Sequence, residues 1–200
     1  MADEMQTDLI LKIIVLGSSE VGKTCILNRY FNDEFKENAL STIGIDFQTK
    51  YFKFEDKKIK ANYTDTAGQE KFRAISLNYL KGANGVILVF DITKRESFDL
   101  LETWMNALKD NNKVGISKIL IGNKADLEDK RQVQKEEAES LSERIGCKYF
   151  EGSAKTGENI FEALDEIARI TYLDMKNNQE ESRDSIVLNR TKKVQKKRCC

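Results

Sequence analysis

No histidine occurs among the 200 residues of the chain, and this absence excludes several kinds of catalytic chemistry. Ser-His-Asp triads, Cys-His pairs and histidine-ligated zinc sites all require an imidazole. Any proton transfer must therefore use carboxylates, lysine, tyrosine, water or the substrate itself. Proline is absent too, which removes only one common signal for loops.

Cysteine is scarce, and its spacing fits neither a disulfide framework nor a structural zinc site. Cys25 and Cys147 lie in apolar segments and are predicted to be small buried residues, whereas Cys199 and Cys200 end the sequence. The amino terminus is acidic where a signal peptide would be basic, and the apolar runs are too short to span a bilayer. We therefore expect a protein of a reducing, soluble compartment.

Neither sign of charge dominates, because the chain has 33 Lys and Arg residues against 33 Asp and Glu residues. No global field attracts nucleic acid, and we predict none as a partner. Residues 190–200 nevertheless contain six basic residues and no acidic one, which leaves residues 1–189 with a net charge of −6. The segment before this basic run lacks apolar periodicity, as linkers do. These patterns predict a flexible start over residues 1–8, a folded domain over 9–173 and a flexible tail over 174–200.

Short runs of branched apolar residues alternate with helical patterns along the domain. The runs Leu9–Leu16, Gly85–Phe90 and Lys118–Ile121 are typical of parallel strands that are buried on both faces. The segments Phe47–Phe54 and Lys58–Thr64 flank the polar sequence EDKK and predict a hairpin that adds one antiparallel strand.

Apolar residues recur at helical spacing from Phe98 to Leu108 and again from Phe161 to Thr171. Trp104 belongs to the first of these stripes and is predicted to pack in the core. Strands and helices that alternate with short connections are typical of a doubly wound α/β sheet with helices on both faces.

The first predicted strand runs directly into the pattern G-x-x-x-x-G-K-T. The two glycines allow successive N–H groups to converge on phosphate oxygens, and the next helix directs its positive end at the same point. The lysine supplies a charge for the β- and γ-phosphates, and the threonine hydroxyl binds Mg²⁺. A chance match on a surface turn is the alternative, and four constrained positions between a strand and a helix disfavour it. The predicted phosphate-binding residues are Gly17, Ser18, Ser19, Glu20, Val21, Gly22, Lys23 and Thr24, with Cys25 directly after them.

The sequence Asn123-Lys124-Ala125-Asp126 follows another predicted strand and distinguishes the bases. The Asp126 carboxylate can accept hydrogen bonds from the ring N–H and the exocyclic amine of guanine. Adenine has an acceptor at that ring position and no amine beside it, so it would leave a buried charge unpaired. Asn123 is predicted to tie the surrounding loops together, and the stem of Lys124 to lie over the base or ribose. An isolated N-K-x-D fits a solvated loop equally well, but its position after a strand favours guanine binding.

Further segments complete the predicted site. After the hairpin, Asp65 would hold Mg²⁺ through water, the Gly68 N–H would reach a γ-phosphate, and Gln69 would orient the attacking water. Thr42, on the loop before the hairpin, would coordinate Mg²⁺ only when a γ-phosphate is present. The backbone N–H groups that would close over the guanine carbonyl belong to Ser153, Ala154 and Lys155.

With these motifs, the sequence resembles Rab-type small GTPases of the Ras superfamily over about residues 9–173 and at the terminal cysteines. The segments GSSEVGKT, DTAGQE, NKAD and SAK match the superfamily, and IGIDF, QEKFR and LVFDIT resemble segments that mark Rabs. The resemblance implies a single P-loop domain with a six-stranded, mostly parallel sheet, one antiparallel strand and a flexible carboxyl-terminal tail. It implies a GTP-hydrolysing switch for vesicle traffic, with Mg²⁺ as cofactor and GTP and GDP as substrate and product. Phe35 would pack against guanine, and the switch regions would be about residues 34–46 and 66–81.

The resemblance also implies partners and a membrane anchor. Hydrolysis would be slow without an activating protein (GAP), and the other partners would be GTP-dependent effectors, an exchange factor (GEF), a GDP-dissociation inhibitor and the Rab prenylation machinery. Cys199 and Cys200 would both be geranylgeranylated; the alternative for them is exposed free thiols. Two lipid chains and the basic tip would hold a monomeric cytoplasmic protein on the cytosolic face of intracellular or plasma membranes.

The chain departs from the Rab pattern at one place. Rabs usually carry a tryptophan directly before D-T-A-G, as part of an aromatic triad that faces effectors, and this chain has Thr64 there. The other triad members would be Phe47 and Tyr79. Ala61 and Tyr63 also stand where larger or branched aliphatic residues are common, so the apolar effector patch is predicted to be smaller and reshaped.

Two alternatives from other functional classes share these motifs. The first is a GTP-binding scaffold with negligible turnover, which phosphate release would distinguish from a switch. The second is an ATP-dependent small-molecule kinase, which shares the phosphate loop but gives no reason for Asn123-Lys124-Ala125-Asp126. Competition between ATP and a labelled guanine nucleotide distinguishes the kinase from a GTP-binding protein.

Overall fold

The computed structural model describes residues 7–36, 45–66, 80–111, 113 and 115–196, with the backbone alone for Ile45 and residues 179–196. Within these residues, six strands form one sheet in the order β2-β3-β1-β4-β5-β6. The strands are β1 Leu9–Leu16, β2 Ile45–Phe54, β3 Lys57–Thr66, β4 Gly85–Asp91, β5 Ser117–Asn123 and β6 Lys148–Glu151. β2 pairs antiparallel with β3, and all other pairs are parallel. The predicted six-stranded, mostly parallel sheet with one antiparallel strand is confirmed.

The hairpin turn is shorter than the sequence EDKK indicates. β2 ends at Phe54 and β3 begins at Lys57, so only two residues form the turn. The first of them, Glu55, has φ of 54°, in the left-handed region that tight turns require.

Helices cover both faces of the sheet, as predicted. Those described are α1 Lys23–Asn32, α2 Arg95–Asp99, α3 Leu101–Asp110, α4 Lys135–Ile145 and α5 Ile160–Lys196, with a 3₁₀ turn at Ala125–Lys130. The stripe from Phe98 to Leu108 is therefore divided between two helices that meet at Leu100. Trp104 is 7% exposed and packs in the core, as predicted.

The core lies in two layers because successive side chains of a strand point to opposite faces. On one face, Ile13 and Ile59 pack with α1 and with Leu164 of α5. On the other face, Ile14 and Leu88 pack with Trp104 and with α4. Every residue of β4 is buried, which accounts for its continuous apolar sequence.

Cys25 and Cys147 are only half-buried, so the prediction that they are buried core residues is wrong. Cys25 lies in the first turn of α1, at the edge of its core layer, and Cys147 directly precedes the edge strand β6. Both thiols have a raised pKa because they are partly desolvated.

The carboxyl-terminal helix α5 continues to Lys196, through most of the segment whose composition predicts a linker. No glycine or proline lies between Ile160 and Lys196, and the segment is rich in residues with high helix propensity, so nothing in it ends the helix. Asp174 accepts a hydrogen bond from the Ser117 hydroxyl, so α5 still contacts the sheet beyond residue 173. The flexibility of the tail stays a prediction.

The turn between β2 and β3 is attached to α5 by a contact that we call the Glu55 clasp. The Lys176 ammonium lies 2.8 and 3.0 Å from the two carboxylate oxygens of Glu55, and the Tyr172 hydroxyl lies 3.4 Å from one of them. The hydrogen bond from Lys176, together with its positive charge, lowers the pKa of Glu55. The Phe54 ring stacks on Tyr172 with 5.2 Å between centroids.

None of the described helices is both long and apolar enough to cross a membrane.

Candidate functional site

The predicted site residues meet at one edge of the sheet, because the parallel strands β1, β4, β5 and β6 all end there. β1 leads into the loop that begins at Gly17, and β5 ends at Asn123. β3 is parallel to β1 and brings Asp65 to the same edge. β6 leads into the loop of Ser153. We call the surroundings of Lys23 and Asp65 the phosphate end of the site, and those of Asp126 and Ser153 the base end.

The two glycines of the phosphate loop lie where no side chain fits. Gly22, directly before α1, has φ of 93°, and a Cβ there would lie 2.4 Å from the Asn123 side chain. A Cβ on Gly17 would lie 2.3 Å from the Val89 carbonyl oxygen. The loop therefore packs its backbone against β4 and Asn123, and the G-x-x-x-x-G spacing follows from these two close approaches.

The Lys23 ammonium is folded back into the phosphate loop. It donates hydrogen bonds to the carbonyl oxygens of Gly17, at 3.0 Å, and Ser18, at 2.8 Å. Lys23 is 5% exposed, and this burial lowers its pKa to about 8, although the charge of Asp65 opposes the shift. A phosphate at the loop would supply the anionic partner that two neutral carbonyl groups do not.

Thr24 and Asp65, the predicted metal ligands, contact each other across the site. The Thr24 hydroxyl donates to Asp65 Oδ2 at 2.6 Å. Asp65 is 2% exposed, and burial raises its pKa against the effect of the Thr24 hydrogen bond. Its other oxygen, Oδ1, is buried and has no hydrogen-bond partner within the described residues. A hydroxyl and an unsatisfied carboxylate oxygen are ligands that Mg²⁺ prefers, so these two residues fit the predicted metal.

The Asn123 side chain connects three loops. Its amide donates to the Val21 carbonyl oxygen at 2.8 Å, and its amide oxygen accepts from the Ala154 N–H at 3.0 Å. Asn123 is 2% exposed, so both hydrogen bonds are shielded from water. The phosphate end and the base end are therefore joined through this one side chain.

The base end is held by a small hydrogen-bond network. The Ser153 hydroxyl donates to Asp126 Oδ1 and accepts from the N–H groups of Lys155, at 3.1 Å, and Thr156, at 3.2 Å. Lys124 has φ of 72°, and its ammonium lies 2.6 Å from Asp91 Oδ2. This ion pair directs the Lys124 side chain toward the end of β4, where Asp91 lies.

Two residues that support the site are not among the predicted ones. Asp91 is fully buried at the end of β4 and pairs with Lys124. It lies within LVFDIT, a segment that resembles Rabs but does not by itself indicate a site residue. Arg29 of α1 donates to the carbonyl oxygens of Ala154, at 2.9 Å, and Lys155, at 2.7 Å. No local pattern marks Arg29, since its partners lie about 125 residues further along the chain.

Several predicted residues lie outside the described part of the chain: Thr42, Gly68, Gln69, Tyr79, Cys199, Cys200 and most of both switch regions. Phe35 is half-buried and packs at the edge of the core layer that contains α1.

The structure corrects the predicted role of two hairpin residues. Ala61 and Tyr63 are fully buried under α5, on the sheet face opposite to Phe47, so they cannot reshape an exposed patch. Thr64 does lie beside Phe47 across the hairpin and is 7% exposed, whereas Phe47 is 56% exposed.

The chain is similar to known proteins over most of its length. The family model of the Ras family matches residues 12–172. Ras-related protein Rab-13 of Bos taurus is 46% identical over 162 residues, which cover 81% of this chain and 80% of that protein. Ras-related protein Rab-8B of Bos taurus is 41% identical over 199 residues, with 96% of each chain covered. GTP-binding protein ypt2 of Schizosaccharomyces pombe is 39% identical over 196 residues, covering 96% of this chain and 97% of that protein.

The chain has a P-loop sheet with these loops at its carboxyl edge, and the Ras family model matches most of its length. These features define a small GTPase. The chain belongs to the Ras family and, within it, to the Rab small GTPases. Its general activity is GTP hydrolysis, and its general setting is Rab-type membrane traffic.

Proposed function

We propose that this chain is a molecular switch that cycles between GDP-bound and GTP-bound states, with switch regions at about residues 34–46 and 66–81. The observation that carries the proposal is the Asn123 bridge, because it connects Lys23, Thr24 and Asp65 at one end with Asp126 and Ser153 at the other. A guanine nucleotide is the ligand whose base and phosphates fit the two ends together.

The nucleotide would replace contacts that the chain makes with itself. The Lys23 ammonium would leave the carbonyl oxygens of its own loop for the β- and γ-phosphates. Asp126 would accept from guanine, beside the Ser153 hydroxyl that it already binds. The loop of Ser153, Ala154 and Lys155 would close over the guanine carbonyl, and Phe35 would lie against the guanine ring.

Thr24 and Asp65 would hold Mg²⁺, joined by Thr42 in the GTP state. When bound, Mg²⁺ neutralises charge on the phosphate oxygens. Thr42 and Gly68 would be held near the γ-phosphate, and its loss would release both switch regions. Effectors would bind the ordered form, and an exchange factor would reload the site.

Gln69 would orient the attacking water, and intrinsic hydrolysis would be slow because the phosphate loop Gly17–Thr24 contains no arginine. A GAP would therefore control the lifetime of the GTP state. Geranylgeranyl groups on Cys199 and Cys200, together with the six basic residues of the tip, would attach the protein to the cytosolic face of a membrane. A GDP-dissociation inhibitor and the Rab prenylation machinery would handle these lipids.

The proposal is tested with the purified full chain. We expect mant-GDP to bind tightly only with Mg²⁺ present, and to be displaced by GTP but not by ATP. Displacement by ATP would instead favour a kinase. Multiple-turnover release of phosphate, accelerated by a cytosolic extract, distinguishes the switch from a scaffold with negligible turnover.

The substitution Gln69→Leu is expected to slow intrinsic single-turnover hydrolysis at least tenfold and to leave GTP affinity within about threefold of native, because water positioning acts on the transition state. Gln134→Leu, at an exposed glutamine before α4, is the control and should leave hydrolysis unchanged. An unchanged single-turnover rate in Gln69→Leu contradicts the assigned role.

A further inference from the structure

On the face of the hairpin that points away from α5, the half nearest the Glu55 turn is exposed to solvent among the described residues, whereas Thr64 at the other end is buried. Its register places Tyr51 of β2 opposite Lys60 of β3, and Lys60 opposite Ile10 of β1. Tyr51 is 51% exposed and Ile10 is 46% exposed. Lys12 and Lys53 are exposed on the same face. We call the surface formed by Ile10, Lys12, Tyr51, Lys53, Lys58 and Lys60 the basic sheet face.

The lysines of this face lie close to one another instead of alternating with acids. Lys53 and Lys58 are direct cross-strand partners in the hairpin, and like charges in that position destabilise a sheet. None of Lys12, Lys53, Lys58 and Lys60 forms an ion pair with another described residue. At the rim, the Asp8 carboxylate accepts a hydrogen bond from the backbone N–H of Lys58.

This arrangement breaks a local rule of sheet stability, and no described residue compensates for it with an ion pair. It does so although residues 1–189 carry a net charge of −6, so a general excess of lysine does not account for it. Unpaired like charges around an exposed tyrosine are satisfied by an anionic ligand, with the aromatic ring giving apolar contact area.

We propose that the basic sheet face docks an acidic segment of a protein partner. The inference rests on the proposed switch, because β2 begins directly after residues 37–44 and β3 leads directly into residues 67–79, which belong to the switch regions. A partner that reads the nucleotide state there continues onto this face without a break. The four lysines then select partners that carry Asp and Glu in the segment that reaches Tyr51.

A protein is favoured over an anionic membrane by the position of α5. This helix leads to the basic tail and packs on the opposite side of the sheet, over Ile59, Ala61 and Tyr63. A membrane bound through the tail therefore approaches from the side of α5. Next to the basic sheet face, the Thr49 hydroxyl donates a hydrogen bond to the Asn62 side chain at 2.9 Å. A protein segment can match such a directional polar pair, and a lipid surface cannot.

The test uses the full chain with a photo-crosslinking amino acid at Thr49, which is exposed next to Tyr51 on the same side of β2. The chain is loaded with GTPγS or GDP and irradiated in cytosolic extract, and the crosslinked segments are identified by mass spectrometry. Captured segments are then synthesised, and their Kd is measured at low and high salt. Sedimentation with vesicles containing 30% phosphatidylserine, a fraction chosen at roughly physiological anionic charge, forms the membrane arm.

We expect captured segments with a clear excess of Asp and Glu, stronger capture with GTPγS, and a Kd that weakens as salt rises. The double substitution Lys53→Glu/Lys60→Glu should weaken binding at least tenfold. Because Lys53→Glu places a carboxylate opposite Lys58, the variant's Tm should not fall. Lys57→Glu is the matched control, since Lys57 is exposed on the same strand with its side chain on the other face, and it should change the Kd less than twofold.

Neutral or basic captured segments, no captured segment, or equal capture with GDP and GTPγS would each overturn the proposal. So would a loss of binding in Lys57→Glu as large as in the double variant. Vesicle binding that depends on Lys53 and Lys60 would assign the face to membranes instead. Mant-GDP affinity is measured on the same samples, so a failure of the docking surface with intact nucleotide binding leaves the proposed switch untouched.

Discussion

The base end and the phosphate end of the site differ in how fully the chain satisfies its own polar groups. At the base end, Asn123, Asp126 and Ser153 all have hydrogen-bond partners within the protein. At the phosphate end, Asp65 Oδ1 and the Ser18 hydroxyl are buried without a hydrogen-bond partner among the described residues. The pKa of Lys23 is lowered there by burial. The base end is therefore preassembled, whereas the phosphate end leaves buried polar groups that a ligand would satisfy.

The largest effect should come from the preassembled end. Asp126→Asn keeps the shape of the pocket but replaces an acceptor with a donor beside the guanine amine, so GDP affinity should fall about 10³-fold or more. Xanthosine diphosphate, which carries a carbonyl in place of that amine, should bind the variant better than GDP. The measurement is fluorescence competition against mant-GDP, with the native chain as reference. Unaltered base preference would show that Asp126 does not read the base.

An intermediate effect is expected where the two ends are joined. Asn123→Ala leaves the Val21 carbonyl and the Ala154 N–H buried and unpaired, which costs about 3 kcal/mol in total. Because these two groups hold the ends of the site together, GDP affinity should fall about 10²-fold. Stopped-flow rates of mant-GDP release should rise accordingly, and Tm should fall.

The matched control for that substitution is Asn111→Ala, which also removes an asparagine amide bound to a backbone carbonyl but lies far from the site, at the end of α3. Its GDP affinity should be unchanged. Equal effects of the two substitutions would mean that Asn123 contributes only to stability and does not couple the two ends.

The smallest effect concerns protons at the phosphate end. Burial lowers the pKa of Lys23 to about 8 in the chain without a ligand, and bound phosphate would hold it charged. GDP binding at pH 8 should therefore take up about half a proton, with little uptake at pH 7, and affinity should fall as the pH rises above 8. Calorimetry in buffers of different ionisation enthalpy measures this uptake, which Lys23→Met should abolish. Equal uptake in both proteins would assign it to another group.

The sequence points to a candidate site where the expected chemistry is carried by consecutive residues. Gly17–Thr24 and Asn123–Asp126 are recognisable because backbone geometry and base contacts require fixed residue types at fixed spacing. Arg29 and Asp91 were not predictable in the same way, since each acts on a loop distant in sequence through a contact that only the folded chain creates.

Two differences between the expectations from the sequence and the structure have different physical origins. The buried position of Ala61 and Tyr63 follows from strand alternation, because residues 61 and 64 fall on opposite faces, so the sequence could have excluded them from the exposed patch. No glycine or proline interrupts α5, so the helix extends to Lys196. Composition and charge alone favoured an irregular linker in that segment.

The Glu55 clasp has a mechanical consequence. The hairpin of β2 and β3 brings Asp65 to the site at one end and has the Glu55 turn at the other, about 30 Å away at the rise of a ten-residue strand. Among the described side chains, a pull on the carboxyl-terminal helix reaches Lys176 first, at the extremity of the hairpin farthest from Lys23 and Asp65, and then Asp174 and Tyr172. Force applied to this helix would therefore enter the hairpin at the end opposite to the candidate site.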